Sequence, residues 1–221
     1  MLDKRKLRGE KTRELVLSSA VDIASAEGLE GLTIGLLAKD VGMSKSGLFA
    51  HFGSKAQLQL ATIDRAKALF LQKVVEPSME RPEGLPRLYA MQSNWISYVQ
   101  NETFRGGCFF AAASAEFDGR PGPIRDRIAS LTKYWRELLE TEAVRAKELG
   151  HIDQRTDPAL LAFQLHAFSQ EANWAYQLLG DQAAFDQARA ATQALLRQTA
   201  TPEGLRKTKE RRVVVARALD A

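Results

Sequence analysis

The sequence is poor in the residues that most metal and redox chemistry needs. Its 221 residues include one cysteine and three histidines. The single cysteine, Cys108, excludes an internal disulfide framework and fits a reducing compartment. The histidines, at positions 51, 151 and 166, are too scattered to argue for a metal site. Neither His-Glu-x-x-His nor Cys-x-x-Cys occurs, and Gly-x-Gly-x-x-Gly and the phosphate-binding P-loop are also missing. No cofactor or metal is therefore expected. Long apolar runs are missing as well: the longest stretch without Asp, Glu, Lys or Arg is 14 residues, 88–101, too short for a membrane span. The opening MLDKRKLRGEK has charges with no apolar region behind them, so a secretory leader is not expected. These absences predict a cytoplasmic chain with no membrane partner.

Proline is sparse, and its placement is informative. The seven prolines sit at 77, 82, 86, 121, 123, 158 and 202, leaving 1–76, 87–120, 124–157 and 159–201 open to uninterrupted helix. No alternating strand pattern is present, and the one Asp-Gly pair, Asp118-Gly119, lies between helical segments. The chain is predicted to be all-α. About nine helices are expected: 11–27, 34–41, 44–52 and 55–75, then, after a loop or hinge at 77–86, 88–101, 103–117, 124–149, 157–179 and 181–199. Thr33, Ser44 and Asp157 stand at N-cap positions, and Pro158 follows Asp157 at the first helical position. The expected division is a helix-turn-helix head at 1–54, a larger body at 55–200 and a basic tail at 201–221.

What the sequence does have is a hydrophobic fraction of 45% and a charged fraction of 26%, enough for a packed core. The net charge of +4 is unevenly spread: residues 1–13 hold six basic and two acidic side chains, and the tail holds six against three. The basic N-terminal end on a neutral body suggests a polyanion partner at that end, although a solvated terminus has the same composition. Lys4, Arg5, Lys6 and Arg8 read either as a minor-groove arm or as a disordered leader.

Residues 33–52 read TIGLLAKDVGMSKSGLFAHF, two short helices around a Gly-Met turn with the small Ala38 where they cross. This is the helix-turn-helix pattern. Lys45, Ser46, Gly47 and Ala50 share an outward face, while Leu48 and Phe52 turn inward. Such a second helix can enter a major groove.

Thr33-Ile34, Ala38, Gly42, Ser44, Lys45, Leu48-Phe49, His51-Phe52 and Ser54-Lys55 resemble the signature of the TetR/AcrR family of bacterial transcriptional regulators. The resemblance implies that Thr33 caps its helix and contacts a backbone phosphate. It implies that Lys45, Ser46 and Gly47 face base edges, with Phe49 in the place of a usual tyrosine against sugar or a thymine methyl. It further implies that His51 and Lys55 hold phosphates. The bland alternatives are a surface histidine at a helix end for His51, which this context disfavours, and an aromatic of the core for Phe49, which is as good a reading as the DNA contact.

The body is less legible. Helix 157–179 has one apolar stripe of Leu161, Leu165, Phe168, Ala172, Ala175 and Leu179, and another of Phe163, His166, Gln170 and Trp174. One side must face its own body and the other a partner. Ala184, Ala188, Ala191 and Leu195 form a matching small-residue stripe on the last expected helix. The family resemblance implies that these two helices pair with their copies in a homodimer. Leu161, Leu165, Phe168, Ala172, Ala184, Ala188, Ala191 and Leu195 are the expected interface.

The resemblance also implies a small-molecule effector in the body, with Trp95, Tyr98, Phe109, Phe110, Phe163, His166 and Trp174 as candidate lining residues; an aromatic stripe is also what plain core looks like. The expected function is a homodimeric regulator, most often a repressor, released from a palindromic double-stranded operator when effector binding shifts helix 55–75. The alternative is an all-α adaptor or an enzyme using Glu116, Asp118 or His166, and it leaves the N-terminal motif unexplained.

Overall fold

The computed structural model describes residues 4–209. In chain order the helices are α1 (Lys4–Glu27), α2 (Ile34–Asp40), α3 (Lys45–Phe52), α4 (Lys55–Phe70), a π-helical turn (Leu71–Val75), α5 (Glu76–Met79), α6 (Leu85–Gln100), α7 (Phe109–Phe117), α8 (Pro123–Glu148), α9 (Pro158–Leu179), α10 (Ala184–Thr199) and α11 (Pro202–Lys209). The fold is all-α, and the one β-bridge among the described residues pairs Ile152 with Ala200. The last residues of the basic tail, from 210 on, lie outside the described residues, as do the side chains of the N-terminal arm at Lys4, Arg5, Lys6 and Arg8.

Three expectations of detail change. Residues 101–108 form a loop, and α7 starts at Phe109 rather than near Thr103. The double glycine there bends the chain, with Gly107 at φ 75°. The expected hinge at 77–86 is half helical: the chain runs on through the π turn into α5, and the loop is confined to the residues after Met79. Pro77 falls in the first turn of α5, where its missing N–H needs no partner. Ser78 Oγ closes that turn by donating to the Val74 carbonyl at 2.6 Å. Helix α1 also begins earlier than expected, at Lys4 rather than residue 11.

Packing divides the chain into two compact units. One comprises the residues up to Phe70 together with Asn101–Thr132; the other comprises Leu71–Gln100 and the residues from Lys133 on. The core of the first unit is built from Val16, Leu17, Ala20 and Ile23 of α1, Leu37 and Ala38 of α2, Leu48 and Phe52 of α3, and Leu58 and Ile63 of α4, all buried. In the second unit α9 packs on α10 and both pack on α6. Gln92 of α6, wholly buried, donates through Nε2 to the Leu165 carbonyl and to Ser169 Oγ, both at 2.7 Å. Arg87 and Glu142 form a largely buried ion pair at 2.9 Å, and Glu142 Oε2 also accepts the Gly84 N–H at 3.1 Å.

The faces of α9 and α10 are not those expected for a dimer. Leu161, Leu165 and Ala172, and Ala184 and Ala188 on α10, are buried within the single chain. Phe168, Ala191 and Leu195 are half-buried. The large apolar side chains that α9 exposes are Leu160, Phe163, Trp174, Leu178 and Leu179, with Glu171 and Gln177 exposed among them. Phe163 and Trp174, expected in an effector pocket, are 55% and 51% exposed. A helix that is apolar on two sides carries no periodic signal for which side its own core takes. Here the core takes the smaller aliphatic side chains, which allow α10 to approach closely.

Candidate nucleic-acid interface

Both helices of the motif, α2 and α3, start at a capping hydroxyl. Thr33 Oγ1 accepts the Leu36 N–H at 3.1 Å, and Ser44 Oγ accepts the Gly47 N–H at 3.1 Å. Each cap satisfies an N–H that the first turn leaves free, and each hydroxyl keeps its own proton to donate elsewhere. Between them Gly42, at φ 66°, takes a left-handed conformation that a side chain would strain, and the Met43 N–H returns to the Ala38 carbonyl at 3.0 Å.

Leu48 and Phe52 anchor α3 in the core, which turns the opposite face outward. Lys45, Ser46 and His51 are exposed, and Gly47 is half-buried. Phe49 is 56% exposed, so it belongs to the outer face and not to the core. A Cβ added at Gly35 would lie 3.6 Å from Lys45 Nζ and 3.9 Å from Thr33 Oγ1. The ammonium and the hydroxyl therefore flank one small space over the first turn of α2, and glycine keeps that space open. The pattern of motif residues gave no hint of Gly35.

Two contacts behind this face were also invisible in the sequence. The Arg13 guanidinium lies over the Phe52 ring, 4.7 Å from its centroid, and donates to the His51 carbonyl at 3.3 Å. Lys55, expected to meet a phosphate, is occupied: its Nζ donates to Glu30 Oε1 at 2.6 Å and to the Glu30 carbonyl at 2.7 Å. The hydrogen bond from Lys55, reinforced by one from Gln59, holds the Glu30 carboxyl below the usual carboxylate range.

The expected effector residues are divided between the two units. Phe109 and Phe110 belong to the first unit, where Phe110 meets the Phe70 ring edge-on at 6.1 Å between centroids. Trp95, Tyr98, Phe163, His166 and Trp174 belong to the second. Trp95, Tyr98 and Phe109 are buried. His166 Nδ1 is buried with no hydrogen-bond partner among the described residues, and burial, with the nearby Arg136 charge, pushes its pKa down. Burial pushes the Cys108 thiol up to about 11, which makes it an unreactive core thiol. Among the described residues no cluster of His, Cys, Asp and Glu is placed to hold a metal ion, and no helix is long and apolar enough to cross a membrane.

Two family models match the chain without overlapping. Residues 16–62 match the bacterial regulatory proteins of the tetR family, and residues 84–192 match the tetracyclin repressor-like C-terminal domain. The chain belongs to the TetR family. Its helix-turn-helix is therefore a DNA-binding domain, the C-terminal part is of the family's ligand-binding type, and the chain is a transcriptional regulator and not an enzyme. Among relatives, the nucleoid occlusion factor SlmA of Cronobacter sakazakii is 26% identical over 171 residues, 77% of this chain and 84% of that protein. A TetR transcriptional regulator of Chloroflexus aurantiacus superposes with a TM-score of 0.81 at 24% identity, covering 87% of this chain and 98% of that one. AibR, solved in complex with isovaleryl coenzyme A and operator DNA, superposes with a TM-score of 0.65 at 22% identity, covering 83% and 96%.

Proposed function

We propose that this TetR-family chain is a homodimeric repressor that a small organic effector releases from a palindromic operator. The observation that carries the reading is the outer face of α3, where Lys45, Ser46, Phe49 and His51 stand free of the core on a capped, rigid helix. Lys45, Ser46 and Gly47 read base edges in the major groove, and Phe49 packs on sugar or a thymine methyl. Thr33 and His51 hold phosphates, joined by Lys55 once it leaves Glu30; these contacts set register without specifying sequence. The DNA-binding head is residues 1–54, extended by the Lys55 contact at the start of α4, and residues 55–200 carry the ligand and dimer functions.

Dimerisation uses the exposed face of α9, chiefly Phe163 and Trp174 with Leu160 and Leu178. Isolated exposed apolar residues are ordinary, but a helical face of them indicates a protein partner. A two-fold dimer presents two copies of α3 to half-sites about one turn of DNA apart. His166, half-buried on α9 with a buried Nδ1 that has no partner among the described residues, supports an effector site in the second unit with a polar group to meet it. The AibR complex supports the pairing of a small organic ligand with operator binding on one chain of this fold. A coupling of about 1–3 kcal/mol between the two ligands gives a 5–150-fold change in operator affinity.

Selection of bound sequences from random duplex DNA at moderate salt tests the reading. Recovery of a palindrome is the expected outcome. A folded, ligand-free dimer that enriches nothing would overturn it.

A further inference from the structure

A carboxylate far along the chain fixes the turn that precedes the DNA-binding motif. Glu116, on α7, accepts two successive backbone N–H groups, from Leu29 at 2.7 Å and Glu30 at 2.8 Å. The fit is close, since a Cβ at Gly28 would stand 3.2 Å from Glu116 Oε2. Gln59 of α4 braces the same turn, donating to the Leu29 carbonyl at 3.0 Å and to Glu30 Oε2 at 3.2 Å. The loop before α7 is tied to α1 as well. Arg105 donates its backbone N–H to Asp22 at 3.0 Å, the Gly106 N–H meets Ser25 Oγ at 3.1 Å, and a Cβ at Gly106 would collide with the Ser25 carbonyl at 1.8 Å.

The turn that Glu116 holds carries Glu30, and Glu30 holds Lys55. The two carboxylates thus have different tasks. Among the described residues Glu116 accepts from backbone amides, those of Leu29 and Glu30, and sets where the turn lies. Glu30 supplies the counter-charge of Lys55, so it competes with a phosphate for the same ammonium. Both partners of that ion pair are partly exposed, at 40% and 51% for the Lys55 and Glu30 side chains, so the pair is weak and exchangeable.

We propose that Glu116 and Glu30 form a relay that sets how far Lys55 is available to a DNA phosphate, so that displacement of α7 is read at the DNA surface through residues 28–30. Glu116 is a positioning residue in this scheme, acting through the turn and not on DNA. The proposal rests on the reading of Lys55 as a phosphate contact. The device needs no change in α3 itself: losing the Glu116 anchor loosens the turn, and a looser turn holds Lys55 less well.

The test uses the full chain and a fluorescent duplex of mixed sequence, titrated across a range of salt. Glu30→Gln removes the competing charge but leaves the Glu30 carbonyl to place the ammonium. It is expected to tighten binding about two- to five-fold and to steepen the slope of log affinity against log salt by up to about 0.9. Glu116→Gln, with one acceptor in place of two, shifts both in the same direction by less, and Glu116→Asp falls between it and wild type. In a Lys55→Gln background all three effects vanish. Glu27→Gln, an exposed neighbour with the same loss of charge, has one effect in both backgrounds.

Equal effects of Glu30→Gln with and without Lys55 would overturn the relay, as would an unchanged salt slope. A purely structural role for Glu116 would lower the melting temperature and leave the slope alone. Should Glu116→Gln fold poorly, the cycle at the exposed Glu30 decides. If Lys55→Gln by itself leaves affinity and slope unchanged, the phosphate assignment of Lys55 fails first and the relay falls with it.

Discussion

Helices α3 and α9 each bury one face and expose another, and the chemistry of the exposed faces differs. The eight-residue α3 buries Leu48 and Phe52 and exposes Lys45, Ser46 and His51 around a single aromatic, Phe49. The 22-residue α9 buries Leu161, Leu165 and Ala172 and exposes Leu160, Phe163, Trp174, Leu178 and Leu179. A face of hydroxyls and cations suits phosphates and base edges, which offer acceptors and charge. A face of large apolar side chains has nothing to offer DNA and gains from leaving water. Being helical and exposed does not identify a partner; the identity of the exposed atoms does.

The comparison breaks most visibly at Trp174. Trp174→Glu is expected to convert the proposed dimer to a monomer in sedimentation, with operator affinity falling more than about 100-fold as two half-sites lose their linkage. Its melting temperature, measured as monomer, should change little, because the side chain lies outside the core. Ala188→Glu is the counterpart on the buried side: Ala188 is 6% exposed, so a charge there should unfold the chain before it separates two copies. A Trp174→Glu protein that sediments as a dimer would remove α9 from the interface.

The second-unit scaffold gives the next largest effect. Glu142→Ala takes the counter-charge from the Arg87 guanidinium, which keeps the Arg81 and Met79 carbonyls, and leaves the Gly84 N–H without its acceptor in a site almost closed to water. Chemical denaturation should show a loss of about 3 kcal/mol. A loss under about 0.5 kcal/mol would mean that water replaces the carboxylate there.

On α3 the expected effects are smaller and differ in kind. Lys45→Ala should cost about 1–3 kcal/mol of operator binding and relax the preference at one base position of each half-site. His51→Ala should weaken binding to all duplexes alike and lower the salt slope by about 0.9 for each phosphate lost. If Lys45→Ala behaves like His51→Ala, Lys45 is a phosphate ligand, consistent with its place beside Thr33 over Gly35.

The smallest effect is a pH dependence. Burial lowers the pKa of both His151 and His166 from the ordinary 6.5. A histidine depressed in the folded chain binds its proton more readily when unfolded, so its contribution is fully present above about 6.5 and is lost as pH falls toward the folded value. Charged neighbours of His151 act in opposite directions, Glu203 raising the pKa and Lys207 lowering it, with burial the larger influence. Melting temperature should fall as pH drops from about 7.5 to about 5.5, and the fall should be shallower in His166→Gln. An unchanged slope in that variant would assign the effect elsewhere.

Much of the head was legible because its signals are local. Thr33 and Ser44 cap helices through bonds that span three residues, and Gly42 turns the chain where a left-handed residue is required. The spacing of Leu48 and Phe52 settles which side of α3 is buried, since no competing apolar stripe exists. Phe49 was open between core and surface because a short helix with two buried anchors admits a third; the structure turns it outward. In α9, two apolar stripes share one helix, so periodicity named both and ranked neither. The scattering of the effector aromatics over two units has the same origin, because composition carries no distances.

Sequence by itself determined the helical class, the helix-turn-helix and the residues on its outer face. Each depends on interactions within about one or two turns of chain, where spacing dictates geometry. Tertiary structure alone decided which face of α9 is inside, that Lys55 is held by Glu30, and that Glu116 secures the turn at Leu29 and Glu30 from a helix 87 residues away. Those contacts form only when distant segments pack, and packing selects among faces that the chain makes equally apolar or equally charged.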